Sequence, residues 1–494
     1  MLQVDPRDAV FLYVERPVAW QTFLSAYVFV PDGAPARPAD RGEITRWITD
    51  RARGIDALRQ RLVRVPFDLD HPYWVEDPQY SVEDHLFFHE GSGWEELRGW
   101  MAQLVQQPMD RSKPLWELHV VTGVRGIPGA AREATVAVMK FHHSMADGEL
   151  STTISRALFG AGPAQASRPA ALVAAPPVPA RAGLFTSAVR ACPRKVGELV
   201  GGLRDFRATR RRLLAEREEG VQMLPVAKRP RTVLNQPLGP DRVFDAAFLP
   251  LDELRAMKSA VGEVTVNDLV LAVVAGAMRR YLDEVDTLPD ESLAAAVPMS
   301  IRHRRASESR NQFHTMAVDL HTTEVDPIAR VRGIHRSVLA ERERLSFPAE
   351  AEAAACDVVR VIPGWVIRAA LRIGYGRPTR RSESIHLVNT LVTTVRHGDA
   401  DLHLCDATAV AGFGLAPLIG LGGVAHAIGS VGGSLTINVT ADPLQLRDLG
   451  RYTELLGESF DDLGRAVRHA FGPEDVLVVG SGGGVAQTEG LALM

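Results

Sequence analysis

No stretch limits this chain as much as the one that ends in two adjacent histidines. Residues Ala134-Thr135-Val136-Ala137-Val138-Met139-Lys140-Phe141 are β-branched and apolar and read as a buried strand. They run into His142-His143-Ser144-Met145-Ala146-Asp147-Gly148, after which a helix is expected to begin. Neighbouring side chains on a strand point to opposite faces, so only one of the two histidines can face a given cavity. That arrangement suits one general base with a structural neighbour and suits poorly two histidines gripping one metal. A His-x-x-x-Asp pair is a possible zinc motif, but a catalytic zinc site normally takes three protein ligands and no third stands nearby. No metal is therefore expected. From these seven residues alone, catalysis and a merely polar strand end stand about even.

The wider chain narrows the choice. With 494 residues, 46% hydrophobic and 23% charged, it is too long for one typical core and is expected to form two domains. A net charge of −4 argues against nucleic acid as the main partner. Cys192, Cys356 and Cys405 are odd in number and far apart, which implies a reducing compartment and no disulfide framework. Asp5 and Asp8 break the basic-then-apolar pattern of a signal peptide, so a cytoplasmic location is expected. The stretch from Ala407 to Ala441 has no Asp, Glu, Lys or Arg, but its glycines and Pro417 favour two buried strands and a turn-rich loop over a membrane span.

Four segments follow from periodicity and composition. Residues 1–160 alternate strand-like and helix-like runs, with helices expected over Glu43–Arg64 and Trp94–Gln107 and strands over 26–30 and 118–121. Residues 161–234 open with an Ala/Pro-rich surface linker and continue as a basic helical stretch; Leu203–Arg231 holds nine Lys/Arg against four Asp/Glu, a net of +5. This is either an ordinary solvated face or a surface drawn to anionic membrane or to phosphates. Residues 235–475 form a second domain, with helices at Leu251–Val261 and Asn267–Leu282 and strands at Ala294–Pro298 and Leu387–Val395. Trp365–Arg381 mixes apolar residues with arginines and fits either an interfacial helix or a buried one with snorkelling side chains. Residues 476–494 are glycine-rich and are expected to be a flexible tail.

Asp5-Pro6-Arg7-Asp8-Ala9-Val10-Phe11-Leu12, His71-Pro72-Tyr73-Trp74-Val75-Glu76-Asp77-Pro78, Asp110-Arg111-Ser112-Lys113-Pro114-Leu115-Trp116-Glu117, His142–Gly148 and Val264-Thr265-Val266-Asn267-Asp268 are five blocks in fixed order. Together they resemble the bacterial wax ester synthase/diacylglycerol acyltransferase family, within the CoA-dependent acyltransferase superfamily marked by His-His-x-x-x-Asp-Gly. The resemblance runs in register from about residue 4 to about residue 460. It implies an α/β fold of two chloramphenicol-acetyltransferase-like halves, each a mixed sheet flanked by helices, meeting at a central tunnel. It implies no bound cofactor, acyl-CoA as co-substrate, and a lipophilic alcohol as acceptor.

The resemblance assigns the general base to His143 and a supporting role to His142. A neutral imidazole can take a hydroxyl proton as the ester bond forms. It gives Asp147 a buried salt bridge to an arginine of the other half, for which Arg302, after the strand-like Met299-Ser300-Ile301, is the candidate. Gly148 is expected to allow close backbone approach as the helix begins. Pro114, Leu115, Trp116, Asn267, Asp268, Thr393, Thr394 and Ser430 are candidates for the family motifs and the substrate channel. Thr265 with Asp268 reads as a capping box, so Asp268 is expected to be structural and Asn267 to bond backbone. No acyl-enzyme is expected, since no Gly-x-Ser-x-Gly elbow is present.

The family pattern breaks in two places. Thr393-Thr394-Val395-Arg396-His397-Gly398 stands where the family carries Asn-Val-Pro-Gly-Pro, and the block beginning at Ser430 lacks the usual aromatic after its serine. Both departures bear on the acceptor side. The expected function is acyl-CoA-dependent O-acyltransfer to a long-chain alcohol or diacylglycerol. A specialised metabolite or sugar lipid as acceptor is one alternative, and a non-catalytic lipid-binding homologue is the other. Reversible binding to a membrane or lipid-inclusion surface is expected, and the oligomeric state is left open.

Overall fold

The computed structural model describes residues 1–32, 40–160, 180–218, 228–285, 287–302, 309–346, 362–376, 387–396, 401–418 and 422–472. In chain order the elements are β1 (Leu2–Gln3), α1 (Pro6–Val14), β2 (Thr22–Pro31), α2 (Arg41–Ala52), β3 (Gln60–Val63), β4 (Tyr73–Glu76), β5 (Leu86–Glu90), α3 (Trp94–Leu104), β6 (Trp116–Val124), β7 (Ala134–His142), α4 (Gly148–Phe159) and α5 (Arg181–Glu218). The second half adds β8 (Val243–Pro250), α6 (Leu251–Val261), α7 (Val266–Glu284), β9 (Ala294–Ser300), β10 (Phe313–Asp319), α8 (Pro327–Ser346), α9 (Gly364–Gly376), β11 (Thr390–Arg396), β12 (His403–Leu404), β13 (Ala407–Leu415), β14 (Val424–Val431), β15 (Ser434–Ala441) and α10 (Leu449–Phe471).

Two six-stranded mixed sheets carry the fold, in the orders β12-β13-β2-β7-β6-β5 and β10-β9-β11-β14-β15-β8. In β7 all nine residues are buried, because it lies between β2 and β6 with both faces covered. Ala137, Met139 and Phe141 point into a core shared with α2 and α4. Ala134, Val136 and Val138 point into a core shared with α3 and with Phe244 and Ala246 of the second half. The second sheet is covered by α7, α8 and α10. Thirteen of the nineteen residues of α7 are buried, which is why its apolar run has no clean polar face.

The second half reaches into the first. Strand β13 pairs antiparallel with β2, from Ala407 opposite Pro31 to Leu415 opposite Leu24. A division of the chain near residue 160 therefore separates strands that share a sheet. The sheets meet where β13 crosses β14 and β15: the Thr436 hydroxyl donates to Gly412 O at 2.8 Å, and a Cβ on Gly412 would fall 2.6 Å from Val431 Cγ2.

Three local expectations are corrected. The helix expected over Glu43–Arg64 ends at Ala52; a 3₁₀ turn over Asp56–Arg59 then leads into β3, and Leu58 and Leu62 bury themselves there. Ala407–Ala441 holds three strands, since Gly432, at φ +60°, closes a tight turn between β14 and β15. Helical structure begins at Arg181, before the Ala/Pro-rich stretch expected to be linker ends at Gly183. The remainder of that linker, residues 161–179, the tail from 473, Cys356, and Arg377, Arg380 and Arg381 lie outside the described residues.

Candidate active site

Strand β7 stops at His142, and the next residue is already in the turn to α4. The two histidines separate at that point. The backbone N–H of His142 donates to Leu115 O at 3.1 Å and that of His143 to Gln21 O at 2.7 Å. The backbones of the two histidines are thereby tied to the starts of different neighbouring strands, just before β6 and just before β2.

His142 is buried within the first half. Its Nδ1 accepts from Ser144 N at 3.1 Å and lies 2.7 Å from Ser144 Oγ. With an N–H pointing at Nδ1, the ring proton sits on Nε2, which lies 3.3 Å from Glu15 Oε1. Glu15 in turn pairs with Arg111. Burial, with Arg111 adding to it, pushes the His142 pKa down to about 3, so the ring is neutral.

His143 is partly exposed and carries the opposite tautomer. Its Nδ1 lies 2.9 Å from Asn311 Oδ1, and Asn311 Nδ2 donates to the His143 carbonyl at 2.7 Å. An amide oxygen only accepts, so Nδ1 holds the proton and Nε2 keeps its lone pair. Among the described residues Nε2 makes no hydrogen bond. Phe11 of α1 stacks on the ring at 4.2 Å and 8°, Phe23 tilts against it at 5.4 Å, and Phe313 lies at 6.3 Å. Burial lowers the His143 pKa, partly offset by Asn311 and Asp147, and the neutral form is favoured. An unprotonated Nε2 at the end of an aromatic-walled ring site can accept a proton from a hydroxyl.

Asp147 caps α4, accepting from Leu150 N at 2.9 Å. Arg302 Nη2 lies 2.7 Å from each of its oxygens, and Gln312 N donates to Oδ2 at 3.2 Å. Arg302 also donates to Arg310 O and pairs through Nε with Glu149 Oε2 at 3.2 Å. The pair joins the two halves beside His143. At Gly148 a Cβ would sit 2.9 Å from Val395 Cγ2, so the start of α4 lies directly against β11.

Other sequence candidates fall into two groups. Pro114, Leu115 and Trp116 are buried scaffold: Pro114 bridges Arg61, Leu115 supplies the carbonyl for His142, and Trp116 donates from Nε1 to Leu58 O at 2.8 Å and stacks on His85. Asp268 completes a capping box with Thr265 and accepts from His335 Nδ1 at 2.9 Å. Asn267 departs from expectation: its Oδ1 accepts from the Thr394 hydroxyl at 2.8 Å, which ties α7 to β11 through a side chain. Thr393 precedes it on β11, and Ser430 pairs with Arg396 on the neighbouring strand. Among the described residues no hydrogen bond or ring contact joins these four to His143. Sequence reasoning missed Asn311, Asp8, Glu15 and the three phenylalanines, although Asp8 and Phe11 lie in a block that drew attention.

Two mixed sheets joined by an exchanged strand, with His143 at their junction, define a two-part α/β fold. Residues 4–270 match the wax ester synthase/diacylglycerol acyltransferase catalytic domain and residues 310–464 the WS/DGAT C-terminal domain. The chain belongs to this family, and it is an acyltransferase that takes acyl-CoA as co-substrate. A Mycobacterium tuberculosis protein, provisionally named a diacylglycerol O-acyltransferase, is 28% identical over 472 residues, covering 94% of this chain and 90% of its own. A second from that organism, with a name of the same kind, is 28% identical over 387 residues, covering 75% and 78%. Among solved structures, the wax ester synthase/diacylglycerol acyltransferase from Marinobacter aquaeolei VT8 superposes with a TM-score of 0.64 at 20% identity, covering 94% of this chain and 99% of that one. The trichothecene 15-O-acetyltransferase of Fusarium sporotrichioides follows at 0.53 and 13%, covering 94% and 95%.

Proposed function

We propose that the protein forms an ester from a fatty acyl thioester and the hydroxyl of a lipophilic alcohol, a long-chain alcohol or a diacylglycerol, with His143 as general base. The observation that carries this reading is the free Nε2 of a histidine whose Nδ1 proton is committed to Asn311. Nε2 takes the hydroxyl proton as the oxygen bonds to the thioester carbonyl. The tetrahedral intermediate then expels the CoA sulfur, and the proton on His143 passes to that thiolate. No residue is acylated. His142 supports the strand end, and Asp147 with Arg302 holds the halves together where acyl-CoA and alcohol would meet in a tunnel between them.

His143→Ala should lower CoA release by about two to four orders of magnitude, the usual worth of a general base, with folding little changed. His142→Ala should cost less turnover and more stability. The reverse order in two folded variants refutes the assignment. A panel of acyl-CoAs and alcohols identifies the acceptor, and no CoA release with any of them would leave a lipid-binding homologue.

A more polar acceptor, such as a specialised metabolite or sugar lipid, is the second reading. It is favoured by the exposed Thr394 hydroxyl on β11 and its Asn267 partner on α7, in the stretch where the family carries Asn-Val-Pro-Gly-Pro. The protein is further proposed to be cytoplasmic and to adhere reversibly to membranes or lipid inclusions. No single described helix is long and apolar enough to cross a membrane. On α5, Phe185, Val189, Val196 and Val200 form one exposed stripe, joined edge-on by Phe67, which is 78% exposed. Arg190, Arg194, Arg204, Arg207 and Arg211 lie on the same helix, the composition of an interfacial helix. Arg368 of α9 is engaged elsewhere, with Asp68 at 2.9 Å.

A further inference from the structure

We propose that Asp8 and Asn311 are positioning residues for acyl transfer: together they lock His143 in the tautomer that leaves Nε2 unprotonated, and they do so across the junction of the two halves. This rests on His143 being the base.

The argument starts from the Asn311 carboxamide, whose two ends differ only in hydrogen-bond sense. Its Nδ2 faces two acceptors, Asp8 Oδ1 at 2.9 Å and His143 O at 2.7 Å. Flipped, the amide would set its oxygen against a carboxylate and a carbonyl while its NH₂ faced Nδ1. The observed orientation is therefore enforced, and it delivers Oδ1 to His143 Nδ1. A neutral imidazole has one N–H, so fixing it on Nδ1 empties Nε2.

Asp8 is what fixes the amide. It is 1% exposed and accepts from Ser309 Oγ, Arg310 N, Asn311 N and Asn311 Nδ2, each at 2.9 Å. It sits on α1, one turn before Phe11, which stacks on the same imidazole. One short helix thus sets both the plane of the ring, through Phe11, and its tautomer, through Asn311. The relay crosses from the first half to the second and back. An ordering partner of this kind acts through another residue and touches no substrate.

Asp8→Asn places an amide where only acceptors fit, and Asn311→Leu removes the acceptor while roughly keeping the volume. Each should lower kcat about 10- to 1000-fold, a large part of a general base's worth, with KM for acyl-CoA changed less than about threefold. Ser309→Ala deletes one donor to Asp8 without freeing the amide, and should keep kcat within about threefold. Protein labelled with ¹⁵N-histidine, with the His143 signal assigned by its loss in His143→Gln, should show Nδ1–H in the parent and an increased Nε2–H population in Asn311→Leu. If Asp8→Asn and Asn311→Leu keep parental kcat while His143→Ala is inactive, the relay is overturned and the base stands. If Ser309→Ala loses as much turnover as they do, or the tautomer is unchanged in Asn311→Leu, the effect is structural and the proposal fails. Parental turnover in His143→Ala would instead remove the base itself.

Discussion

Replacing Asp147 by alanine and Arg302 by leucine, singly and together, measures how strongly the two halves are joined beside His143. Asp147 is 5% exposed. With Arg302 gone it keeps, among the described residues, the N–H groups of Leu150 and Gln312, so a buried carboxylate loses its cation. That situation costs about 3–5 kcal/mol, and with two donors retained we expect about 3 for Arg302→Leu. Asp147→Ala leaves Arg302 with more recourse, because its side chain is 26% exposed and Glu149 lies 3.2 Å from Nε. That variant also loses the α4 cap, worth about 1 kcal/mol, which brings it to about 4. The double variant has no stranded charge and should cost about 5, a coupling of about 2 kcal/mol. Urea unfolding followed by tryptophan fluorescence and circular dichroism gives the four values. The coupling should persist at 0.5 M NaCl, since salt screens exposed pairs far more than buried ones. A coupling below about 0.5 kcal/mol, at either salt level, refutes the reasoning.

Four further outcomes are expected. His142 and His426 are buried with pKa values pushed down to about 3 and about 4, while the unfolded chain takes up protons near pH 6.5. Between those limits the unfolded state binds more protons, so stability is full above pH 6.5 and falls on acidification. His426 alone should account for about 2 kcal/mol between pH 6.5 and 5, and a His426→Gln protein with an unchanged pH slope in denaturant titrations would contradict this. The acid limb of kcat/KM should have its inflection below 6.5, because burial lowers the His143 pKa; an inflection at or above that value counts against an unprotonated base poised by burial. Gly148→Ala should cost about 1–3 kcal/mol by driving a methyl group into Val395, with Val395→Ala recovering part of it, and purely additive melting data would rule this out. Phe67→Ser with Phe185→Ser should weaken sedimentation with anionic vesicles at low salt, and parental binding in that double variant would remove the α5 stripe from the docking face.

What could be read from the chain depended on how local each signal is. The extents of β7, α6 and α7 follow from period and composition, and a Thr-x-x-Asp spacing identified the capping box of Thr265 and Asp268 because capping spans three residues. Arg302 was reachable only through family resemblance, since nothing near residue 302 refers to residue 147. The exchange of β13 into the first sheet was not legible at all, because a strand's own alternation does not say which edge it will join. Asn311 escaped for the same reason: its partners His143 and Asp8 lie 168 and 303 positions away, and a single asparagine has no periodicity of its own. Nothing in the sequence around Phe11 or Phe23 refers to residue 143, and only the stacking geometry connects them to an imidazole.

The bonds that orient His143, the proposed base, and those that dock the halves are largely the same. Asp8 grips residues 309–311 from one side through four hydrogen bonds, and Asp147 holds Arg302 and the N–H of Gln312 from the other. Both carboxylates belong to the first half and every one of those donors to the second. Between them lies the amide that reaches His143. On the proposed mechanism, a small opening at this junction should lengthen the Asn311–His143 contact before it exposes much apolar surface, lowering turnover while the cores of both halves remain packed. Interface lesions in this protein should accordingly register in kcat at denaturant concentrations well below the unfolding midpoint, whereas core lesions such as a truncated Leu271 or Val138 should lose activity only with the fold.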